Sequence, residues 1–183
     1  MAVVHRAELS PSKLELLAQW LPGCPWFEHA EPIERISAFR FDDPDGEVGL
    51  ETFIVGSGEM RFHVPLTYRG APLDGGTLVG TMEHSVLGQR WVYDGPSDPV
   101  YVDVTRQAIV TGARDVDMVL DDGTPVPRLD WWASATGSGA EPSAAARDLV
   151  VARRLPADCP PNAPMLSASW LGQENPTVLA WLV

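Results

Sequence analysis

Residues 60–69 read MRFHVPLTYR. Met60, Phe62, Val64, Leu66 and Tyr68 fall on one register, and Arg61, His63, Thr67 and Arg69 on the other. A period of two sends each set to its own face of a pleated strand, so this segment belongs in a sheet with an apolar side. The pattern recurs nearby. In RISAFRFDD, Phe39 and Phe41 share a face with Arg40 opposite, and EVGLETFIV follows a turn signal in DDPDGE. The turn GSGE at 56–59 then leads into 60–69, which makes three strands of an antiparallel meander. TLVGTMEHSVL and QRWVYDG extend it as a hairpin turning near Gly88. Pro65 has no N–H for a ladder, which predicts an edge or bulged strand there.

Two segments read as helices. In LSPSKLELLAQWLP, Ser10 is placed to cap and Pro11 suits a first turn, while Ser12-x-x-Glu15 reads as a capping box. Leu14, Leu17 and Leu21 recur at helical spacing beside Trp20, and Pro22-Gly23 ends the element. Lys13 is the only lysine against 12 arginines and is expected on the exposed face. DPVYVDVTRQAIVTG has strand-like Val and Thr content. Its Asp98 cap, Pro99 at the first position and Gly112 stop favour a helix near residues 98–111. DVDMVLDD, VPRLDWWAS, RDLVVARRL, MLSASWLG and TVLAWLV then read as strands, and ATGSGAEPSAAA as a loop. The expected fold is α+β, with predominantly antiparallel, curved sheet and two helices. A single domain spans 1–183, divided near Asp94–Pro99 into a subdomain over 1–96 and a β-rich one over 97–183.

Charge rejects several partners. The formal net charge is −12 and no Lys/Arg cluster exists, so neither nucleic acid nor an anionic membrane surface is expected to bind. No apolar run approaches the roughly 20 residues of a membrane helix, and the N-terminus lacks the basic and apolar regions of a secretory signal. Two cysteines, Cys24 and Cys159, do not make a disulfide scaffold, which points to the cytoplasm. One bridge between them stays open.

The chemistry-bearing residues form no catalytic motif. His5, His29, His63 and His84 lack paired spacing and the cysteines form no C-x-x-C, so neither metal nor other cofactor is expected. Ser85 adjoins His84, but neighbours on a strand face opposite ways. Glu83 and Asp94 are candidates for a carboxylate pair across the hairpin, or for two solvated acids. GAPLDGG and GSG are turns without the Gly-Lys-Ser/Thr helix of a phosphate cradle. Trp131 and Trp132 either stack on a sugar ring or divide between core and surface, one facing each way along a strand. Tyr68, Arg69, Glu83, His84, Arg90, Trp131 and Trp132 are therefore the candidate ligand or partner surface, with no catalytic residue assigned.

Taken in order, HRAELSPSKLELLAQWLP, FRFDDPDGEVGLETFIV, VPLTYRGAPL, GTMEHSVLGQRWVYDG and DPVYV resemble the maltokinase N-terminal cap-like domain over roughly residues 1–105. That resemblance implies a curved antiparallel sheet with a helix, broadly similar to cystatins. In full-length maltokinases the cap precedes a kinase body that phosphorylates maltose with ATP and magnesium, feeding α-glucan synthesis. This sequence has no His-Gly-Asp catalytic loop and no strand lysine for nucleotide phosphates, so no kinase residue carries over. The expectation is a cap without the kinase body, linked to α-glucan, maltose or trehalose metabolism by family association. Three function classes follow: a non-catalytic interaction or regulatory module, a small-ligand or carbohydrate-binding protein, and a cryptic enzyme. The corresponding partners are another protein, a small carbohydrate or a second copy of the chain. A concave pocket with converging polar groups favours the second class. A flat apolar patch favours the first.

Overall fold

The computed structural model describes residues 2–5, 7–28, 32–140 and 148–183. In chain order the elements are β1 (Ala2–Val4), β2 (Leu9–Ser10), α1 (Lys13–Trp20), β3 (Glu34–Phe41), β4 (Gly49–Ser57), β5 (Met60–Arg69), β6 (Leu78–His84) and β7 (Gly88–Asp94). There follow α2 (Pro99–Thr111), β8 (Met118–Leu120), β9 (Ser134–Gly137), β10 (Leu149–Val151), β11 (Arg154–Leu155), β12 (Met165–Trp170) and β13 (Gln173–Leu182). The fold is α+β. The larger sheet has the order β2-β6-β7-β5-β4-β3, with β11 also pairing β5. A second sheet has the order β10-β13-β12-β9. Both are antiparallel, and β1 with β8 forms a separate parallel pair.

The larger sheet is the middle layer. On one face Phe53, Val55, Phe62, Val64, Leu66 and Val92 pack with Leu16, Leu17 and Leu21 of α1 and its following turn. On the other face Phe39 and Ile54 meet Ile109 of α2 and Leu166, Leu179 and Leu182 of the second sheet. Burial on both sides is why Thr52–Ser57 are all buried, where an exposed sheet would alternate apolar and polar residues. The alternation in 60–69 is realised as read: Phe62, Val64 and Leu66 face α1, with Met60 and Tyr68 packed against the same cluster. Phe39 and Phe41 share the opposite face in an edge-on contact, centroids 5.8 Å apart.

Helix α1 starts at Ser12, which accepts from the Glu15 backbone N–H while Glu15 returns a bond to the Ser12 N–H. Ser10 does not cap it and Pro11 lies outside it. Ser10 instead pairs with Glu83 in the sheet, and the reciprocal box at Ser12 satisfies the helix end. The second helix has the anticipated Asp98 cap, Pro99 start and left-handed Gly112 stop, φ 70°.

Three expectations are overturned. Pro65 does not mark an edge: β5 is interior, paired with β4 along its length and with β7 and β11 on the other side. The ladder to β11 spans Arg61 and Phe62 and that to β7 spans 66–69, so Pro65 occupies the gap between them, where an absent N–H costs no ladder bond. Trp131 and Trp132 lie at a turn, not along a strand, and their rings contact edge-on at 5.6 Å. The small-residue stretch from Ala135 begins as strand β9, because α2 crosses it too closely for side chains. A Cβ on Gly137 would stand 1.8 Å from the Ala108 carbonyl oxygen. The part of that stretch at 141–146 lies outside the described residues.

Candidate functional site

An open cleft of about 630 Å³ lies on the α1 face of the larger sheet. Its floor follows from register. Ala38 and Val92 belong to the α1-face core, and Arg40 and Arg90 lie two residues from them on the same face. Arg40 stands opposite Glu51, Gly49 opposite Tyr68, and Met82 opposite Arg90. One wall is the N-terminal segment, with His5, Ala7, Leu9 and Lys13. The other is the β3–β4 connection, with Asp42, Asp43, Glu47 and Val48. The β6–β7 hairpin closes the end with His84, Leu87 and Arg90.

Each wall is fixed locally. Asp43 accepts backbone hydrogen bonds from Asp45, Glu47 and Val48 at 2.9–3.1 Å, which folds the acidic connection into a compact loop. His84 Nδ1 accepts from the Val86 and Leu87 backbones at 3.2 and 3.1 Å, leaving Nε2 to carry the ring proton. Burial, then the neighbouring His5, Arg90 and Lys13, lower its pKa, so the ring is neutral near pH 7. Leu9 pairs with His84 across β2–β6 and draws the N-terminal segment over the sheet.

Lys13 is not on the exposed face. It reaches down to an ion pair with Glu51 and lies 5.2 Å from the Tyr68 ring centre. Burial alone would raise the Glu51 pKa, but the Lys13, Arg40 and Arg35 charges hold it below the ordinary carboxylate range. The Tyr68 phenol is pushed well above its usual pKa by burial and by Glu51, so it remains a hydroxyl donor. Arg40 Nε and Arg90 Nε are buried without a hydrogen-bond partner, while His5 Nδ1 has Asp121 at 4.0 Å and the Tyr68 hydroxyl has Glu51 beside it. The arrangement offers several donors from the floor with carboxylate acceptors at the rim, which is the chemistry of binding a polar molecule.

Of the residues singled out from sequence, Tyr68, His84 and Arg90 line this cleft and the others do not. Arg69 binds Asp98 at the cap of α2. Glu83 is exposed, opposite Gln89, while Asp94 is buried at the far end of the hairpin in an ion pair with Arg153, so the two carboxylates do not pair. Trp131 lies under the Arg35 guanidinium at 3.9 Å, and its carbonyl accepts from Ser37 Oγ at 2.8 Å. Trp132 is half-buried, with Arg128 6.0 Å from its ring. The double tryptophan thus pins the 126–134 segment to β3 beside a void of about 20 Å³, enough for one water. Cys24 and Cys159 are both free thiols. Among the described residues no group of three or more His, Cys, Asp or Glu is placed to hold a metal ion, and no helix is long and apolar enough to cross a membrane.

Sequence reading missed His5, Lys13, Arg40 and the 42–48 wall. A signal existed for Arg40. Setting the turn at 43–46 makes Arg40 and Glu51 cross-strand neighbours, which brings a cation and an anion onto the face that also carries Phe53.

Residues 20–98 match the family model of the maltokinase N-terminal cap domain. This segment, less than half of the chain, is similar to that domain family. No curated protein and no solved structure matches it. The cap segment supplies Arg40, the acidic loop, Tyr68, His84 and Arg90 to the cleft, while His5, Ala7, Leu9 and Lys13 come from residues that precede it. The cleft is therefore built jointly by the cap and its N-terminal flank.

Proposed function

We propose that the chain is a non-catalytic, cap-like module that binds a small polar molecule in this cleft. One observation carries the reading: two arginines that line the same cavity, Arg40 and Arg90, each bury an Nε without a partner. Such groups cost free energy unless they are hydrogen-bonded, and more than about nine in ten are satisfied in native proteins. Two such groups facing one cavity, with carboxylate acceptors at its rim, suit a polar ligand. The similarity of residues 20–98 to the maltokinase cap domain is the support for a regulatory role in α-glucan, maltose or trehalose metabolism. The sequence carries no His-Gly-Asp catalytic loop for phosphoryl transfer. The only lysine, Lys13, is on a helix and paired with Glu51, so the chain neither hydrolyses ATP nor phosphorylates maltose. Two free cysteines suit a reducing cytoplasm, where we place the protein.

A second reading, docking of a protein partner or another copy, draws on Val86 and Leu87. They stand 55% and 44% exposed at the hairpin tip beside the cleft. Amide chemical-shift mapping separates the two readings. Titration with maltose, trehalose and their phosphorylated forms is expected to move Gly49, Tyr68 and Arg90 together. Shifts confined to 85–87 at rising protein concentration would replace ligand binding with self-association.

A further inference from the structure

We infer that the ligand of this cleft carries an oxyanion, a phosphate or a carboxylate, held jointly by the guanidinium groups of Arg40 and Arg90. The inference rests on the ligand-binding reading above and specifies its chemistry. Carboxylates are abundant in this chain, 25 against 13 basic side chains. Arg69, Arg128, Arg153 and Arg154 each pair with one, and Lys13 pairs with Glu51. Among the described residues Arg40 and Arg90, like Arg35, Arg61 and Arg114, form no such pair within 4 Å, and only these two line the cleft. Arg90 gives Nη2 to the Leu87 carbonyl at 2.6 Å, and the Nε atoms of both arginines are buried and unpartnered. Glu51, cross-strand from Arg40, is engaged by Lys13, so neither guanidinium has an ion pair of its own. In so acidic a chain, two of them in one cavity mark a place where the anion arrives with the ligand.

The backbone makes room for both groups. A Cβ at Gly70 would stand 2.9 Å from Arg90 Nη1, and one at Gly49 would stand 3.5 Å from Arg40 Nη2 and 3.4 Å from Tyr68 Cβ. Arg40 on β3 and Arg90 on β7 are three strands apart on one face and, with Arg40 level with Leu66 and Arg90 level with Gly70, four residues apart along it, so their backbones are on the order of 20 Å apart. Two extended arginines reach inward across that span from either side of Tyr68. Their planar forks suit an oxyanion with two or more acceptor oxygens. The Lys13 charge is already met by Glu51, so the arginines provide the net positive charge of the floor. The acidic side chains Asp42, Asp43 and Glu47 belong to the connection that directly follows Arg40; they confine an anion to the arginine side of the floor and accept hydrogen bonds from hydroxyls elsewhere on the ligand.

Calorimetric titration of the full chain with glucose 6-phosphate, glucuronate, glucose and inorganic phosphate tests this. At least one of the two anionic sugars is expected to bind ten-fold or more tighter than glucose, and their relative affinities decide between phosphate and carboxylate. Arg40→Gln and Arg90→Gln are each expected to weaken that binding at least ten-fold. Arg61→Gln, whose side chain binds the Gly58 and Met60 carbonyls outside the cleft, should leave it unchanged. Glucose binding as well as the anions, with both cleft variants unaffected, overturns the oxyanion and leaves the ligand-binding reading standing. No saturable binding of any probe overturns both. If a variant does not fold, the Nε–H resonances of Arg40 and Arg90 in the unmodified chain decide. They should shift together on adding inorganic phosphate, and their failure to move overturns the assignment.

Discussion

Arg69 holds both carboxylate oxygens of Asp98, Nε to Oδ2 and Nη2 to Oδ1, each at 2.7 Å. Asp98 also accepts from Thr67 Oγ1 at 2.7 Å and from the Val100 backbone at 3.0 Å, where it caps α2. One fully buried carboxylate therefore joins the end of β5 to the start of the helix that packs on the second sheet.

Removing it should be among the most damaging single changes. Asp98→Ala deletes the cap and leaves Arg69 and Thr67 without their acceptor, an expected loss of about 3–5 kcal/mol in urea unfolding. Asp98→Asn keeps the acceptor for Val100 and should cost less. Burial opposes ionisation of Asp98, but Arg69, Thr67 and Val100 hold its pKa below the ordinary value. This part of the stability is therefore complete above the unfolded carboxylate pKa, about 3.9, and is lost only as pH falls below it. A cost under about 1 kcal/mol for the alanine variant would show that the pair is not structural.

His63 predicts a pH dependence at milder acidity. The residue is fully buried in β5, with Nδ1 2.9 Å from the Ala152 carbonyl and Nε2 without a partner. Burial pushes its pKa down to about 3. The unfolded chain gains a proton here near pH 6.5 and the folded chain does not, so stability falls as pH drops below about 6.5 and is insensitive to this group above it. The slope approaches about 1.4 kcal/mol per pH unit. Urea midpoints between pH 8 and 4.5, read beside the His63 ring resonances, check it. A ring that titrates near pH 6 in the folded protein would refute the reading.

The larger sheet was legible because its segments announce their faces. Period-two alternation assigns Phe62, Val64 and Leu66 to one side, and turn residues set the register with β4. The ends of α2 were legible for the same reason, since caps are local chemistry. Pro65 misled because whether a strand is interior depends on β7, which returns to pair with 66–69, and on β11 from residues 154–155. Ala135–Gly137 misled because small residues read as a loop until α2 is known to lie on top of them. Lys13 misled because helix periodicity gives direction but not what stands opposite. The cleft is a product of such long-range placement: its cations come from α1, β3 and β7, and no local motif links them.

The α2–β9 contact gives a steric prediction. Gly137→Ala would set a Cβ 1.8 Å from the Ala108 carbonyl oxygen and 2.8 Å from the Ile109 Cα, atoms of helix backbone that cannot swing aside. Overpacking generally costs about 1–3 kcal/mol, and this substitution should reach or exceed the upper figure. Gly23→Ala, with nothing within 4 Å of its added carbon, is the matched control and should stay within about 1 kcal/mol of the parent. Similar melting temperatures for the two variants would mean that α2 and β9 are not in close contact.

The last seven residues, TVLAWLV, carry no charged side chain, and a terminal segment frays unless it is tied down. Here it is tied on both sides. Strand β13 runs between β10 and β12 in the second sheet, and Val183 and Asp148 exchange both backbone hydrogen bonds, each at 3.0 Å. Leu179 and Ala180 are 0% exposed and Leu182 2%, within the cluster that contains Ile54 and Ile109. Deleting 177–183 would uncover that cluster and the unpaired edges of β10 and β12, so the truncated chain is expected to be insoluble or unfolded. Leu179→Ala tests the same packing more gently. It should remain soluble and lose about 2–5 kcal/mol in urea unfolding, the usual cost of a cavity in a core. A truncated protein that stayed soluble with its melting temperature unchanged, together with a neutral Leu179→Ala, would show that the tail contributes nothing to the fold.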